Sequence, residues 1–203
     1  MVFALPGVRA AVLHGQRRIA LNRSTFTAAN GTRLNAITPE IGGAWTELTG
    51  TWQVQSNAAT TLGNASDNQN VAICNSGSAD AIVEITTPVG NANNRIVLRS
   101  TGVIADGYFI FDGGGKLYEF NGTTYTQRAS GTYTSANGDR IVAICVGSTI
   151  TIYANNVQIC TYASATRNQT TGTYHGIGHF AITSGSFDNF IVWPRTVTLP
   201  AGV

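Results

Sequence analysis

Apolar residues recur along this chain at a spacing of two, in runs of four to eight, and most runs end on Gly, Asn or Asp. A period of two places successive side chains on opposite faces of an extended strand. The pattern predicts strands over 45–48, 52–55, 58–62, 71–74, 81–86, 95–100, 107–111, 116–120, 124–128, 140–146, 149–153, 157–162, 174–182 and 187–193. Turn chemistry separates them: Thr49-Gly50, Asn121-Gly122, Asn137-Gly138, Gly147-Ser148 and Asn155-Asn156. The last pair predicts a two-residue type I′ hairpin, because Asn tolerates positive φ. In 149–153, Ile150 and Ile152 share one face while Thr149, Thr151 and Tyr153 share the other, as in a strand with one wet face. In 140–146 both faces are apolar: Ile141, Ala143 and Cys145 on one, Val142, Ile144 and Val146 on the other. The last strand, with Phe187, Ile191 and Trp193 opposite Phe190 and Val192, repeats that feature. The outer face of a two-layer sandwich normally meets water, so these strands call for cover from an arm, a loop or another subunit.

Composition narrows the class. Gly, Asn, Thr and Ser together make 79 of the 203 residues, against nine Leu. Helical proteins are built from Leu, Ala, Glu, Lys and Arg, so this balance argues for an all-β chain. A hydrophobic share of 43% excludes wholesale disorder, and no apolar run nears the roughly 20 residues of a membrane-spanning helix. The length suits one domain. The expected organisation is an N-terminal extended arm over 1–23, a β-sandwich over 24–195 and a tail over 196–203.

Charge separates the arm from the body. Residues 1–33 carry Arg9, Arg17, Arg18, Arg23 and Arg33 and no acid, a charge of +5; residues 34–203 carry seven basic and ten acidic residues, a charge of −3. Five Arg over this span are too sparse for a nucleic-acid arm, and no nucleic-acid motif accompanies them. The arm also holds the apolar residues Val2, Phe3, Leu5, Val8, Val12, Leu13, Ile19 and Leu21. Side chains of that kind need a surface to bury on. Phe3, Leu5, Arg9, Val12, Leu13, Arg17, Arg18 and Ile19 are therefore the candidate partner-binding residues. The first 20 residues lack the apolar core of a secretion signal, because Arg9, His14, Arg17 and Arg18 interrupt it. Synthesis in a cytosol is the expectation.

Three segments carry a resemblance. Ser24–Leu34, Thr38–Trp45 and Gly50–Ala58 resemble the opening of a concanavalin A-like (laminin-G-type) jelly roll. Gly138-Asp-Arg-Ile141, Gly147–Val157 and Phe187-Asp-Asn-Phe-Ile-Val-Trp193 resemble its closing strands. The resemblance covers about residues 24–193 and implies a two-sheet antiparallel jelly-roll sandwich of six or seven strands per sheet. Domains of this kind occur in bacteriophage virion proteins, in secreted glycan-binding proteins and in glycosidases. In the family Trp45, Trp52 and Trp193 stand at core-signature positions.

Catalytic and metal chemistry find little support. Glycosidases of this superfamily set two or three carboxylates on one strand, as E-x-D-x-x-E. Here the closest acids, Asp80 and Glu84, stand roughly 13 Å apart along a strand, too far for that pairing. His175 and His179 would lie about as far apart on one face of a strand, beyond shared ligation of one ion. Gly176 and Gly178 leave the other face bare, which points to close backbone approach. Gly113-Gly-Gly115 lacks the Lys-Ser/Thr of a phosphate loop and reads as a flexible hairpin tip. Asp67, Asp106 and Asp112 are loop or strand-end acids of the kind that hold calcium in laminin-G-type domains, but no dense acidic loop accompanies them. No catalytic residue, metal or cofactor is expected.

These readings converge on a non-enzymatic structural protein of a virus particle, made in the host cytoplasm. It would be a bacteriophage capsid decoration or cement protein, or a related tail component. Its arm and an apolar sheet face would dock on other virion subunits or on copies of itself. The alternative is a lectin-like glycan-binding module, with Tyr118, Tyr125, Tyr133 and Tyr153 as the aromatic platform. Cys74, Cys145 and Cys160 each lie in an apolar run without C-x-x-C spacing, which reads as reduced core filling. Alkylation of the native protein is expected to leave all three nearly unlabelled, and the denatured protein should take three labels; a disulfide-linked peptide would contradict the reading.

Overall fold

The computed structural model describes residues 19–63, 69–181 and 185–195. Its strands are β1 (Asn22–Ser24), β2 (Thr46–Thr49), β3 (Thr51–Gln55), β4 (Ala58–Gly63), β5 (Gln69–Asn75), β6 (Ala81–Thr87), β7 (Asn94–Ser100), β8 (Tyr108–Asp112), β9 (Lys116–Phe120), β10 (Tyr125–Ser130), β11 (Asp139–Val146), β12 (Thr149–Ala154), β13 (Val157–Tyr162), β14 (Tyr174–Phe180) and β15 (Asp188–Pro194). One sheet runs β1-β15-β6-β11-β12-β13 and the other β10-β9-β8-β7-β14-β5-β2, with β3–β4 as a separate hairpin. The pairings are antiparallel. The fold is a two-sheet sandwich, as the strand pattern predicts, with the jelly-roll layout that the resemblance implies. Helix among the described residues is confined to two three-residue 3-10 segments, Leu34–Ala36 and Ile104–Asp106.

All fourteen expected strands are present, each with ends within two residues of the predicted ones. The Asn155-Asn156 hairpin has φ of 48° and 72°, the left-handed pair that its two Asn predict. β1 is an addition. It pairs with β15, and Leu21 N–H donates to the Val192 carbonyl at 2.7 Å, so the last residues of the expected arm belong to a sheet. Of the arm residues proposed for docking, Ile19 is described and is 73% exposed; Phe3, Leu5, Arg9, Val12, Leu13, Arg17 and Arg18 lie outside the described residues. The Gly113–Gly115 tip is pinned and not a free loop. Gly131 N–H bonds the Gly115 carbonyl at 2.9 Å, and Ser135 N–H bonds the Gly113 carbonyl at 2.8 Å. Gly115 has φ +82°, and a Cβ there would lie 2.4 Å from the Gly131 carbonyl oxygen, so only glycine closes this turn.

The inward faces of both sheets make the main core. Trp45 packs between Phe26 and Phe190 at ring distances of 5.5 and 5.0 Å. Cys74, Cys145 and Cys160 are free thiols buried within it, and burial pushes each thiol well above its ordinary range. Trp193 departs from its expected place. It alternates with Phe190 and Val192, so it lies half-buried on the outer face of the six-stranded sheet, where Nε1–H donates to Glu84 Oε2 at 3.2 Å. Its cross-strand neighbour is Ile82, which in turn faces Ile144. Ile82 and Val142 are buried while Ile144, Val146 and Ile191 are half-buried, so the second apolar face of β11 is largely closed by its neighbours.

Arg99 anchors the end of β7. Its side chain is fully buried, donating to the carbonyls of Ala79 (3.2 Å) and Ala165 (3.0 Å) and to Asp80 Oδ1 (3.1 Å). Asp80 Oδ1 also accepts Gly147 N–H at 2.9 Å. Arg99 and Asp80 together therefore tie three loops to the sheet. Leaving such a buried group unpaired costs about 3–5 kcal/mol, so it is a requirement of the fold.

The two strand histidines face the core as neutral rings. His179 lies between Trp52 and Phe187 at ring distances of 5.2 and 4.9 Å; its Nε2–H donates to Asn94 Oδ1 (2.9 Å) and its Nδ1 accepts the Thr61 hydroxyl (3.2 Å). His175 donates Nε2–H to the Ser78 carbonyl at 3.0 Å and accepts the Arg99 N–H at Nδ1, 3.4 Å. Burial lowers His175 to about 4 and His179 to about 3; neighbouring Arg99 and Arg95 add to the effect. Unfolded, both would titrate near 6.5. Between those limits the unfolded chain binds more protons than the folded one, so stability from these two groups is complete above pH 6.5 and is lost as pH falls. The melting temperature should drop steadily from pH 7 to pH 4.5, with both rings still neutral by imidazole ¹⁵N NMR at pH 5.5. Rings already protonated at pH 5.5 would contradict this account.

Candidate functional site

A second apolar cluster lies on the far side of the seven-stranded sheet. Val71, Ile73, Val97, Tyr108, Ile110 and Phe120 are buried there, with Leu48, Ile104, Tyr118, Tyr125 and Tyr174 half-buried around them. Alternation explains the membership. Phe109 and Phe111 of β8 point into the main core, so Tyr108 and Ile110 point out. Likewise His175, Ile177 and His179 of β14 point inward, which leaves Tyr174, Gly176, Gly178 and Phe180 on the outer face.

The two glycines let β5 backbone and β7 side chains come close. A Cβ at Gly176 would sit 2.0 Å from the Ala72 carbonyl oxygen and 2.7 Å from the Ile73 Cα, a backbone approach that only glycine allows. At Gly178 the nearest atoms would be the Asn70 carbonyl oxygen (3.1 Å) and the Arg95 Cβ (3.4 Å). Arg95 of β7 is the cross-strand neighbour of Gly178, and its guanidinium carbon lies 5.1 Å from the Phe180 ring centre and 5.7 Å from that of Tyr125. Arg95 also donates to Gln69 Oε1, while its Nε–H has no partner. Tyr125 stacks on Phe120 (4.4 Å, 23°), and its hydroxyl lies 2.8 Å from that of Tyr108. The face thus offers two partly open aromatic rings, Tyr125 and Phe180, beside one cation and one amide. Aromatic walls with a few fixed polar groups are the composition of saccharide and small-molecule sites.

The four tyrosines that the sequence nominates fall in three places. Tyr118 and Tyr125 lie on this face. Tyr133 packs against the main core, stacked on Phe111 at 5.9 Å, and donates its hydroxyl to Asp139 Oδ2 at 2.9 Å. Tyr153 is on the opposite sheet, directly across from Val142, with its hydroxyl near Gln158. Sequence reasoning missed Arg95, Gln69, Tyr174 and Phe180. The signal was present: Tyr174, Gly176, Gly178 and Phe180 repeat at a spacing of two, so two rings flank two glycines on one face.

The acids elsewhere are engaged in structure. Glu47 pairs with Arg33, Glu84 with Arg140, and Glu119 with both Arg128 and Arg167. Asp106 accepts the Thr101 hydroxyl at 2.6 Å, and Asp112 Oδ1 accepts the N–H of Gly114 (3.0 Å) and Lys116 (2.9 Å). Asp67 lies outside the described residues. Among the described residues no three His, Cys, Asp or Glu gather as a metal site would require, and no helix is long and apolar enough to cross a membrane. A recess of about 330 Å³ opens between Gly77–Asp80, Gly147 and 169–173, but no aromatic ring lines it.

No family model matches the chain, and neither does the sequence of any curated protein. Solved structures do match its fold. The carbohydrate-binding module CBM66 from Bacillus subtilis aligns with a TM-score of 0.58 at 16% identity, over 73% of this chain and 94% of that one. Domain 4 of AbnA, a GH43 extracellular arabinanase from Geobacillus stearothermophilus in complex with arabinotriose, aligns with a TM-score of 0.57 at 10% identity, over 90% and 96%. A Bacillus subtilis protein of unknown function with a galectin-like fold aligns at 0.52 and 12% identity, over 82% and 96%. At these identities the likeness is one of fold.

The glycine spacing gives a direct test of the site's geometry. Gly176→Ala must push against backbone, so its melting temperature should fall by roughly 5 °C or more. Gly178→Ala needs a shift of only a few tenths of an ångström and should cost distinctly less. Equal effects of the two substitutions in thermal denaturation would contradict the close approach.

Proposed function

We propose that this chain is a non-catalytic carbohydrate-binding module and that the outer face of its seven-stranded sheet holds the glycan. The observation that carries this reading is the pair of partly open rings Tyr125 and Phe180 against Arg95 and its partner Gln69, with Tyr118 and Tyr174 on the same outer face. Sugar rings would lie against the aromatic faces, and hydroxyl groups would exchange hydrogen bonds with Gln69 and Arg95. Of these rings Phe180 is the most open, at 38% exposure, so it is the natural rim of the platform. The fold likenesses to a carbohydrate-binding module and to an arabinanase domain in complex with arabinotriose support the same reading. They favour it over the capsid decoration protein that the basic arm and the twice-apolar strand suggest from sequence.

Affinity electrophoresis against a panel of neutral and charged polysaccharides tests this reading. Retardation by at least one polymer is expected, weakened at least tenfold in Tyr125→Ala and in Phe180→Ala, with Tyr153→Ala unchanged because it lies on the other sheet. Full binding by both Tyr125→Ala and Phe180→Ala would place the glycan elsewhere. A protein that binds no polymer but is found on virus particles at fixed copy number would restore the docking reading.

A further inference from the structure

Arg95 is an exception among the arginines of this molecule. Arg33, Arg99, Arg128, Arg140, Arg167 and Arg195 each form an ion pair with a carboxylate. Among the described residues Arg23 and Arg95 do not; Arg23 is exposed to solvent, whereas Arg95 is half-buried between two aromatic rings. Burial lowers its pKa, the sign of a cation kept from water without full compensation. The neighbouring acid has another task. Asp112 is the cross-strand partner of Arg95 on the same face, yet its Oδ1 closes the turn through Gly114 and Lys116, and no ion pair joins it to Arg95. Lys116 follows on β9, exposed and on the side that carries Tyr118 and Phe120. The row Arg95, Asp112, Lys116 therefore has a net positive charge.

A planar guanidinium flanked by rings, with one N–H given to an amide and no carboxylate bonded to it, suits a ligand carboxylate, which can take two parallel N–H bonds at once. We propose that Arg95 is an anion site and that the saccharide taken by this face is acidic, bearing a carboxylate as uronic-acid polysaccharides do. The proposal rests on the glycan-binding reading and gives it a substrate class. The carboxylate pairs with Arg95, the sugar ring that bears it lies against Tyr125 or Phe180, and Lys116 extends the attraction along the strand direction of β9. Asp112 opposes the same anion, so it sets an upper limit on affinity that a neutral residue would lift.

The test compares one backbone with and without its charge. Polygalacturonate, alginate and hyaluronate, each beside its methyl ester, are titrated into the full chain by calorimetry. The expected result is binding of at least one free acid at least tenfold tighter than its ester, weakening as sodium chloride is raised. Arg95→Met, checked for folding by its melting curve, should abolish the preference for the acid. Arg95→Lys should restore it in part, because it keeps the charge and loses the planar pair. Asp112→Asn, whose amide oxygen still accepts the turn N–H groups, should tighten acid binding severalfold, a change that a purely structural role for this row would not produce. Equal affinity for acid and ester, with loss in Tyr125→Ala, would overturn the acidic-ligand proposal and leave the glycan reading standing. An acid preference that survives in folded Arg95→Met would overturn it too. Failure to bind any acid or ester overturns it, and the glycan reading falls as well if the neutral polymers are also refused.

Discussion

The position of β14 between β5 and β7 is the constraint on which both faces of the seven-stranded sheet depend. A strand alternates its side chains without exception unless it bulges. With His175, Ile177 and His179 held in the main core, Tyr174, Gly176, Gly178 and Phe180 have no other face to occupy. The inward histidines are fixed by hydrogen bonds at both ring nitrogens, and Gly176 is fixed by its contact with the Ala72 and Ile73 backbone. A one-residue slip would bury Tyr174 and expose two neutral imidazoles. The register of the core thereby sets the register of the outer site, and no loop has to be ordered to form it.

The placement of charge follows from scarcity. Charged residues are only 11% of the chain, and most carboxylates serve to hold a loop or a strand end. Glu119 joins Arg128 of β10 to Arg167, and Arg99 with Asp80 gathers three loops. In that setting Arg95, stacked between aromatic rings and joined to no carboxylate by a direct ion pair, is only partly balanced by Asp112 across the strand. Exposed ion pairs contribute little to stability, but a partly dehydrated cation without full compensation has a definite cost. A ligand that supplies the missing anion removes that cost, which is why the same residue that weakens the free protein can strengthen its complex.

Strand existence was legible in the sequence because alternation, turn residues and β-branched content agree at nearly every element. Strand ends moved by one or two residues, since backbone pairing and not side-chain pattern decides where a ladder stops. β1 escaped notice because Asn22, Arg23 and Ser24 carry no apolar signal; their pairing is imposed by β15. Trp193 was expected inside because it stands at a core-signature position of the family the sequence resembles, yet its parity with Val192 puts it outside. The bulge between Asp188 and Ile191, with Asn189 at φ 51°, lets Phe187 and Phe190 both reach the core, a change of parity that no spacing rule anticipates. The candidate site was half legible. Tyr118 and Tyr125 could be nominated as wet-face aromatics, whereas Arg95 and Gln69 join them only through the pairing of β7, β14 and β5, which are remote in sequence.

Chemical-shift mapping is the most direct test of the central claim, that the outer face of the seven-stranded sheet is the binding surface. Amide spectra of the labelled protein are recorded as a short uronic-acid oligosaccharide is added. The account predicts perturbations concentrated in β7, β9, β10 and β14, strongest around Arg95, Tyr118, Tyr125 and Phe180. Perturbations confined to the recess at Gly77–Asp80 and Gly147, or to the Trp193 face of the six-stranded sheet, would contradict it.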